Sequence, residues 1–168
     1  LEDKPLNGNC DDVDELGHLN IAALYPEADR IQQYQYYNCS SVKSVTFPDA
    51  IFSIGQEAFS LCKNLEVVNF GSDSKLNQIA IQAFLRTGIK DFVVPPLVKA
   101  VMYEAFYGAS LKSFTFQKPC DSESNQNIQF FSGALGFNPR LKSIEVPKTA
   151  VLPEEGVQDI GVKVTYCP

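Results

Sequence analysis

Residues 54–70 read IGQEAFSLCKNLEVVNF: an Ala-Phe pair (Ala58, Phe59), a Cys at 62, a Leu at 65, and a short alternating segment ending in Val68 and Phe70. Versions of this phrase recur. IQQYQYYNCSSV starts 23 residues earlier (54 − 31) at Ile31, and later copies are IAIQAFLRTGI from Ile79, VMYEAFYGASL from Val101 and FFSGALGFNPRL from Phe130. Each is followed by a strand-like alternation: Val45-Thr46-Phe47, Val68-Asn69-Phe70, Phe92-Val93-Val94, Phe114-Thr115-Phe116 and Ile144-Glu145-Val146. Pro48, Gly71, Pro95 and Pro147 end most of these. Leu16, Leu19 and Ile21 keep the strand spacing near the start, and Val162, Val164 and Tyr166 supply a last strand.

Such a period is the signature of a solenoid. Two alternate side chains per strand, such as Val68 and Phe70, face one side, and a single coil cannot bury them. Stacked coils can, and equivalent positions then form columns about 4.8 Å apart. Tyr36, Phe59, Phe84 and Phe106, with the smaller Leu135, are the expected central column. Ala58, Ala83, Ala105 and Ala134 precede it and must be small because the next coil lies against them; Gln35 is the exception. The part of each coil outside the strand reads as short helix or turn. The polar stretch 117–127 reads as a loop bulging from the coil.

The repeated phrase resembles that of BspA-like, or Treponema-type, leucine-rich repeat arrays, I-G-x-x-A-F-x-x-C-x-x-L-x-x-V-x-F-P. The match covers about residues 16–168, is strongest from Ile31 to Phe116, and degrades in Phe130–Leu141, where GAL replaces xAF. The resemblance implies an α/β leucine-rich-repeat solenoid of right-handed coils, with a parallel β-sheet on the concave face and short helices or turns on the convex side. It also implies life at the cell surface or in secretions, and adhesion to host or matrix proteins. The family has no universal binding residues to carry over. The domain expectation is one unit, 1–168, with an N-terminal cap (1–15), repeats over about 16–150, and a C-terminal cap with the last strand (151–168).

Composition fits that reading. The 168 residues suffice for one sizeable core, and 45% are hydrophobic. A net charge of −6 argues against nucleic acid or an anionic membrane as main partner. No apolar run approaches the roughly 20 residues of a transmembrane helix. The chain begins at Leu1 rather than Met, compatible with removal of an upstream segment.

Few residues suggest chemistry. Cys39 and Cys62 share a repeat position that elsewhere holds Thr87 or Ala109, which reads as a small buried corner holding structural thiols. Cys10, Cys120 and Cys167 lie in the cap, the loop and the tail, and a Cys120–Cys167 disulfide tying loop to tail is the expected pairing in an oxidising compartment. His18 is the single histidine, read as a surface residue, with no nucleophile motif nearby. The acidic cluster Asp11, Asp12, Asp14 and Glu15 reads as a solvated cap. No cofactor, metal or catalytic site is expected.

The outward side of the strands is the candidate binding face: Thr46, Val67, Asn69, Asp91, Val93, Thr115 and Glu145. Just before the strands runs a column of Lys43, Glu66, Lys90, Lys112 and Lys142. Either Glu66 bridges Lys43 and Lys90 while the rest fan into water, or Lys90, Lys112 and Lys142 form a basic edge for an acidic partner segment. Tyr34 and Tyr37 read as shields of an end coil. The functional expectation is a monomeric, non-catalytic module binding a protein ligand, with host or matrix proteins as candidates. The alternatives are an architectural spacer of a larger surface protein or, from another class, a hydrolase or metal-dependent enzyme using the cap carboxylates or His18.

Overall fold

The computed structural model describes residues 8–117, 127–152 and 162–166. Among the described residues twelve strands pair in parallel and, up to β11, alternate between two sides of the coils. The longer ones are β1 (His18–Asn20), β3 (Ser44–Thr46), β5 (Val67–Asn69), β7 (Asp91–Val94), β9 (Ser113–Phe116), β11 (Ser143–Val146) and β12 (Lys163–Tyr166). Two-residue strands lie between them: β2 (Arg30–Ile31), β4 (Ser53–Ile54), β6 (Gln78–Ile79), β8 (Ala100–Val101) and β10 (Gln129–Phe130). These short strands pair without a break in the order β10-β8-β6-β4-β2, a second sheet that the strand alternation did not announce. The expected solenoid of parallel strands is therefore present, but the α part of the α/β expectation is slight: the one α-helix among the described residues is α1, Ile21–Leu24.

The helix-compatible stretches fail to become helices for a backbone reason. Two residues per coil adopt positive φ at fixed places: Tyr34 and Asn38, Glu57 and Leu61, Gln82 and Arg86, Glu104 and Gly108, Gly133 and Phe137. A left-handed residue at every fourth position cannot sit in a right-handed helix. The resulting turns share their amides between two ladders. Glu57, Phe59 and Leu61 donate to the carbonyls of Ile81, Ala83 and Leu85 in the next coil at 2.8–3.0 Å. The amides between them, on Ala58, Ser60 and Cys62, donate three residues back within the coil. The turn side is thus stitched from coil to coil as a sheet would be, with its buried backbone donors satisfied.

The aromatic column forms as expected. Tyr36, Phe59, Phe84 and Phe106 stack with centroids 5.1, 5.6 and 5.2 Å apart and planes within 17°. Phe92 and Phe114, from the long strands, meet Phe106 edge-on. The four alanines before this column are fully buried. Gln35, the exception, works at the end of the pile: its Oε1 accepts from the Gln32 amide and its Nε2 donates to the Gly8 carbonyl, tying down the N-terminal segment. Leu16 departs from expectation: it lies outside the first strand and is 68% exposed, while Leu19 is the buried strand residue.

The cysteine reading needs correction. Cys39 is not a free thiol but is disulfide-bonded to Cys10, so the covalent tie joins the N-terminal segment to the first full coil. Cys62 is the buried thiol; it donates to the Tyr36 carbonyl at 3.0 Å, and burial pushes its pKa up to about 12. Other occupants of this repeat position also cap carbonyls. Thr87 Oγ1 donates to the Phe84 carbonyl, and Asn138 Nδ2 donates to those of Phe106, Leu135 and Gly136. Three of the five occupants thus donate to a backbone carbonyl, while Ala109 fills the corner by smallness alone and Cys39 by its disulfide. Cys120 and Cys167, with most of the expected loop, lie outside the described residues.

The long strands form three separate sheets, β1-β3-β5, β7-β9 and β11-β12. From short strand to long strand the chain takes 14 residues in the coils of Ile31–Val45 and Ile54–Val68, 13 in Ile79–Phe92 and Val101–Phe114, and 14 again in Phe130–Ile144. The ladder is lost at both changes, β5 to β7 and β9 to β11, because one residue fewer shifts the peptide groups out of register. Residues 153–161, which lead to β12, lie outside the described ones. Gly88 belongs to the shortened turn: a Cβ there would stand 2.6 Å from the Lys63 carbonyl oxygen. Across the first break the rings of Phe70 and Phe92, 6.0 Å apart, carry the contact instead.

Candidate functional site: the long-strand face

The candidate residues all project from the long strands or the turn before them. Val67 and Val93 are 48% and 49% exposed, while Val45, Phe92, Phe114 and Ile144, on the opposite side of the same strands, are buried. Asn69, Asp91, Thr115 and Glu145 are exposed and Thr46 is half-buried. Several polar groups bond to one another across coils. Asn69 Nδ2 donates to Thr46 Oγ1 at 3.4 Å, and Ser113 Oγ donates to Asp91 Oδ1 at 2.6 Å. The first joins paired neighbours β3 and β5, the second β7 and β9.

The charged column divides unequally. Lys90 Nζ lies 2.9 Å from Glu66 Oε2, and Lys142 Nζ donates to the Pro139 carbonyl at 2.8 Å. Glu66 does not bridge to Lys43 as expected, because the two side chains lean apart. The Lys43 stem lies over Gly17, where a Cβ would stand 2.8 and 2.9 Å from Cγ and Cδ; Glu66 leans over Gly88, its Cγ 3.5 Å from a Cβ placed there. Gly17 also needs its φ of +91°. The divergence opens a shallow recess of about 380 Å³ lined by His18, Lys43, Ser44, Asn64, Glu66 and Val67.

His18 is exposed on β1, its Nδ1 3.6 Å from Asp14 Oδ2. The His18 backbone amide, foremost, and that of Leu16 hold the Asp14 carboxyl below its ordinary pKa. Asp14 is thus a structural acceptor. Asp12 likewise closes a capping box with Asn9 and accepts from Tyr25 Oη at 3.2 Å. Among the described residues no three His, Cys, Asp or Glu side chains are grouped to hold a metal ion. Tyr34 and Tyr37 meet edge-on at 5.9 Å on the turn side of the first full coil, away from the long-strand face. Two features were missed by sequence reasoning. The short-strand sheet left only the residue before each repeat's first apolar position as a signal, and Cys10 had none beyond its being a cysteine.

A family model described as the BspA type leucine rich repeat region matches residues 18–131 in six copies. The chain belongs to that family. The match begins at the strand of His18 and stops at Phe131, so it leaves out most of the phrase at Phe130–Leu141. No curated protein matches the chain. Among solved structures, this leucine-rich repeat protein is similar to one from Bacteroides ovatus at 19% identity and TM-score 0.54, covering 84% of this chain and 41% of that one. A Treponema pallidum leucine-rich repeat protein matches at 20% identity and TM-score 0.51, covering 71% and 53%. The pneumococcal vaccine antigen PcpA matches at 17% and 0.53, covering 84% and 42%. These likenesses show the fold, and this repeat protein spans about half the length of those neighbours or less.

Proposed function

We propose that this repeat protein is a non-catalytic binding module that works at the cell surface or after secretion and takes a protein ligand of host or matrix origin on its long-strand face. The observation that carries the reading is the half-exposure of Val67 and Val93 beside the bonded pairs Thr46–Asn69 and Asp91–Ser113. Apolar groups left open beside polar groups that already bond to one another favour association, since covering the valines there strips few unpaired donors of water. The location draws on the Cys10–Cys39 disulfide, which belongs to an oxidising compartment, and on the vaccine-antigen neighbour.

Immobilised matrix and host-surface proteins, probed with the wild type, Val67→Asp/Val93→Asp and Phe52→Asp, test this. Phe52 is 56% exposed beside β4, on the short-strand side, and serves as the control. The double variant is expected to lose roughly tenfold or more in affinity for the captured protein, and the control none. Equal capture by all three rejects the face and returns the protein to the role of a spacer.

A further inference from the structure

In a chain of net charge −6, the column before the long strands collects four Lys and one Glu. Internal pairing uses part of that charge: Lys90 is held by Glu66, and Lys142 is turned onto the Pro139 carbonyl. Lys43 and Lys112 are exposed, and neither has an ion-pair or hydrogen-bond partner for its ammonium among the described residues. Three coil steps separate them, steps that the aromatic column takes at 5.1, 5.6 and 5.2 Å, so the lysines stand roughly 15 Å apart. Between them stands the Glu66–Lys90 pair, which has no net charge to offer.

The surroundings of Lys43 indicate which anion fits. The recess beside it adds the Ser44 hydroxyl, the His18 imidazole and the apolar wall of Val67; its Glu66 carboxylate is held by Lys90, and the Asn64 amide nitrogen is committed to the Ser40 carbonyl at 2.7 Å. A cation and a hydroxyl next to a methyl-lined wall match a carboxylate on a short methylene stem. One exposed pair of this kind contributes little. Two engaged together, at a spacing set by the rigid pile, gain through effective concentration.

We infer, on the reading of the long-strand face given above, that the partner presents an extended acidic segment laid across the strands along the lysine column. One carboxylate sits at Lys43 and a second at Lys112, with uncharged residues between. In an extended chain residues i and i+4 face the same side about 13 Å apart, which matches the lysine spacing within side-chain reach. An acidic residue midway would meet the Glu66 carboxylate, so contiguous acidic runs are disfavoured.

The test uses two capped peptides of equal charge, one with Glu at i and i+4 separated by Ser, the other with the two Glu adjacent. The whole protein carries ¹³C-dimethylated lysines, which keep their charge, and is followed by NMR. The spaced peptide is expected to shift the Lys43 and Lys112 signals saturably and to bind roughly tenfold more tightly than the adjacent one, with the advantage shrinking as salt rises. Lys43→Gln or Lys112→Gln should each abolish that advantage, and Lys142→Gln should leave it. Equal binding of the two peptides, or equal damage from Lys142→Gln, overturns the inference in favour of diffuse basicity. If capture of the intact ligand still depends on Val67 and Val93 while the peptides are indifferent, the acidic segment alone is rejected. If capture is indifferent as well, the face itself is rejected.

Discussion

Through the five coils from Arg30 to Val146 each short strand is followed by a long one, yet the short-strand side is continuous and the long-strand side is not. β2, β4, β6, β8 and β10 form one uninterrupted ladder, and the turns beside them add their own coil-to-coil bonds. The long strands break into three groups where the coil loses or regains a residue. Where backbone pairing lapses, side chains take over, as Phe70 and Phe92 do. Continuity of the pile therefore resides in the short strands and turns, which leaves the long-strand face free to vary in outward residues such as Val67, Asp91 and Val93.

That contrast can be broken by mutation, and the greatest effect is expected at the column. Phe84→Ala removes a fully buried ring stacked on both sides and should cost about 3–5 kcal/mol in denaturant unfolding. Phe116→Ala, at the half-buried end of β9, should cost about 1 kcal/mol. Equal losses would mean that the long strands contribute as much to the pile as the turn side does. Gly88→Ala places a Cβ against the Lys63 carbonyl in the shortened turn, with an expected loss of about 1–3 kcal/mol. A neutral outcome would remove the close turn as the reason for the break between β5 and β7. The smallest effect is a gain. Arg86 is exposed with φ of 51°, and its amide bond to the Tyr107 carbonyl survives replacement by Gly. Arg86→Gly should raise stability by about 0.5–1 kcal/mol, and a loss would show that the left-handed turns carry no strain.

Much of this was legible beforehand, because burial by stacking imposes strict periodicity. The aromatic column, the alanines beside it and the outward pairing of Val67 with Asn69 follow from period-2 alternation and a repeat near 23 residues. The interruption was present too, as phrases of 12 residues at Ile31, Ile54 and Phe130 against 11 at Ile79 and Val101. Its meaning needed the ladders, since a missing residue can be absorbed anywhere in a turn. The turns themselves misled: EAF and QAF favour a helix locally, but the next coil supplies carbonyls that only the alternating backbone can reach. Within the candidate face, the exposure of the two valines was readable, whereas the direction of Lys43 and Glu66 depended on which glycine each could lie across.

By itself the amino-acid order determined that the chain must coil and stack, which side chains fill the centre, and which face is left to solvent. The reason is that apolar residues at a fixed period have one economical way to leave water together. The tertiary structure alone decided that Cys39 joins Cys10, that the turns form a ladder in place of helices, and that Lys90 is held by Glu66 while the Lys43 and Lys112 ammonium groups meet no partner among the described residues. Each of those outcomes depends on the distance and direction between groups remote in the chain, which spacing along one coil does not specify.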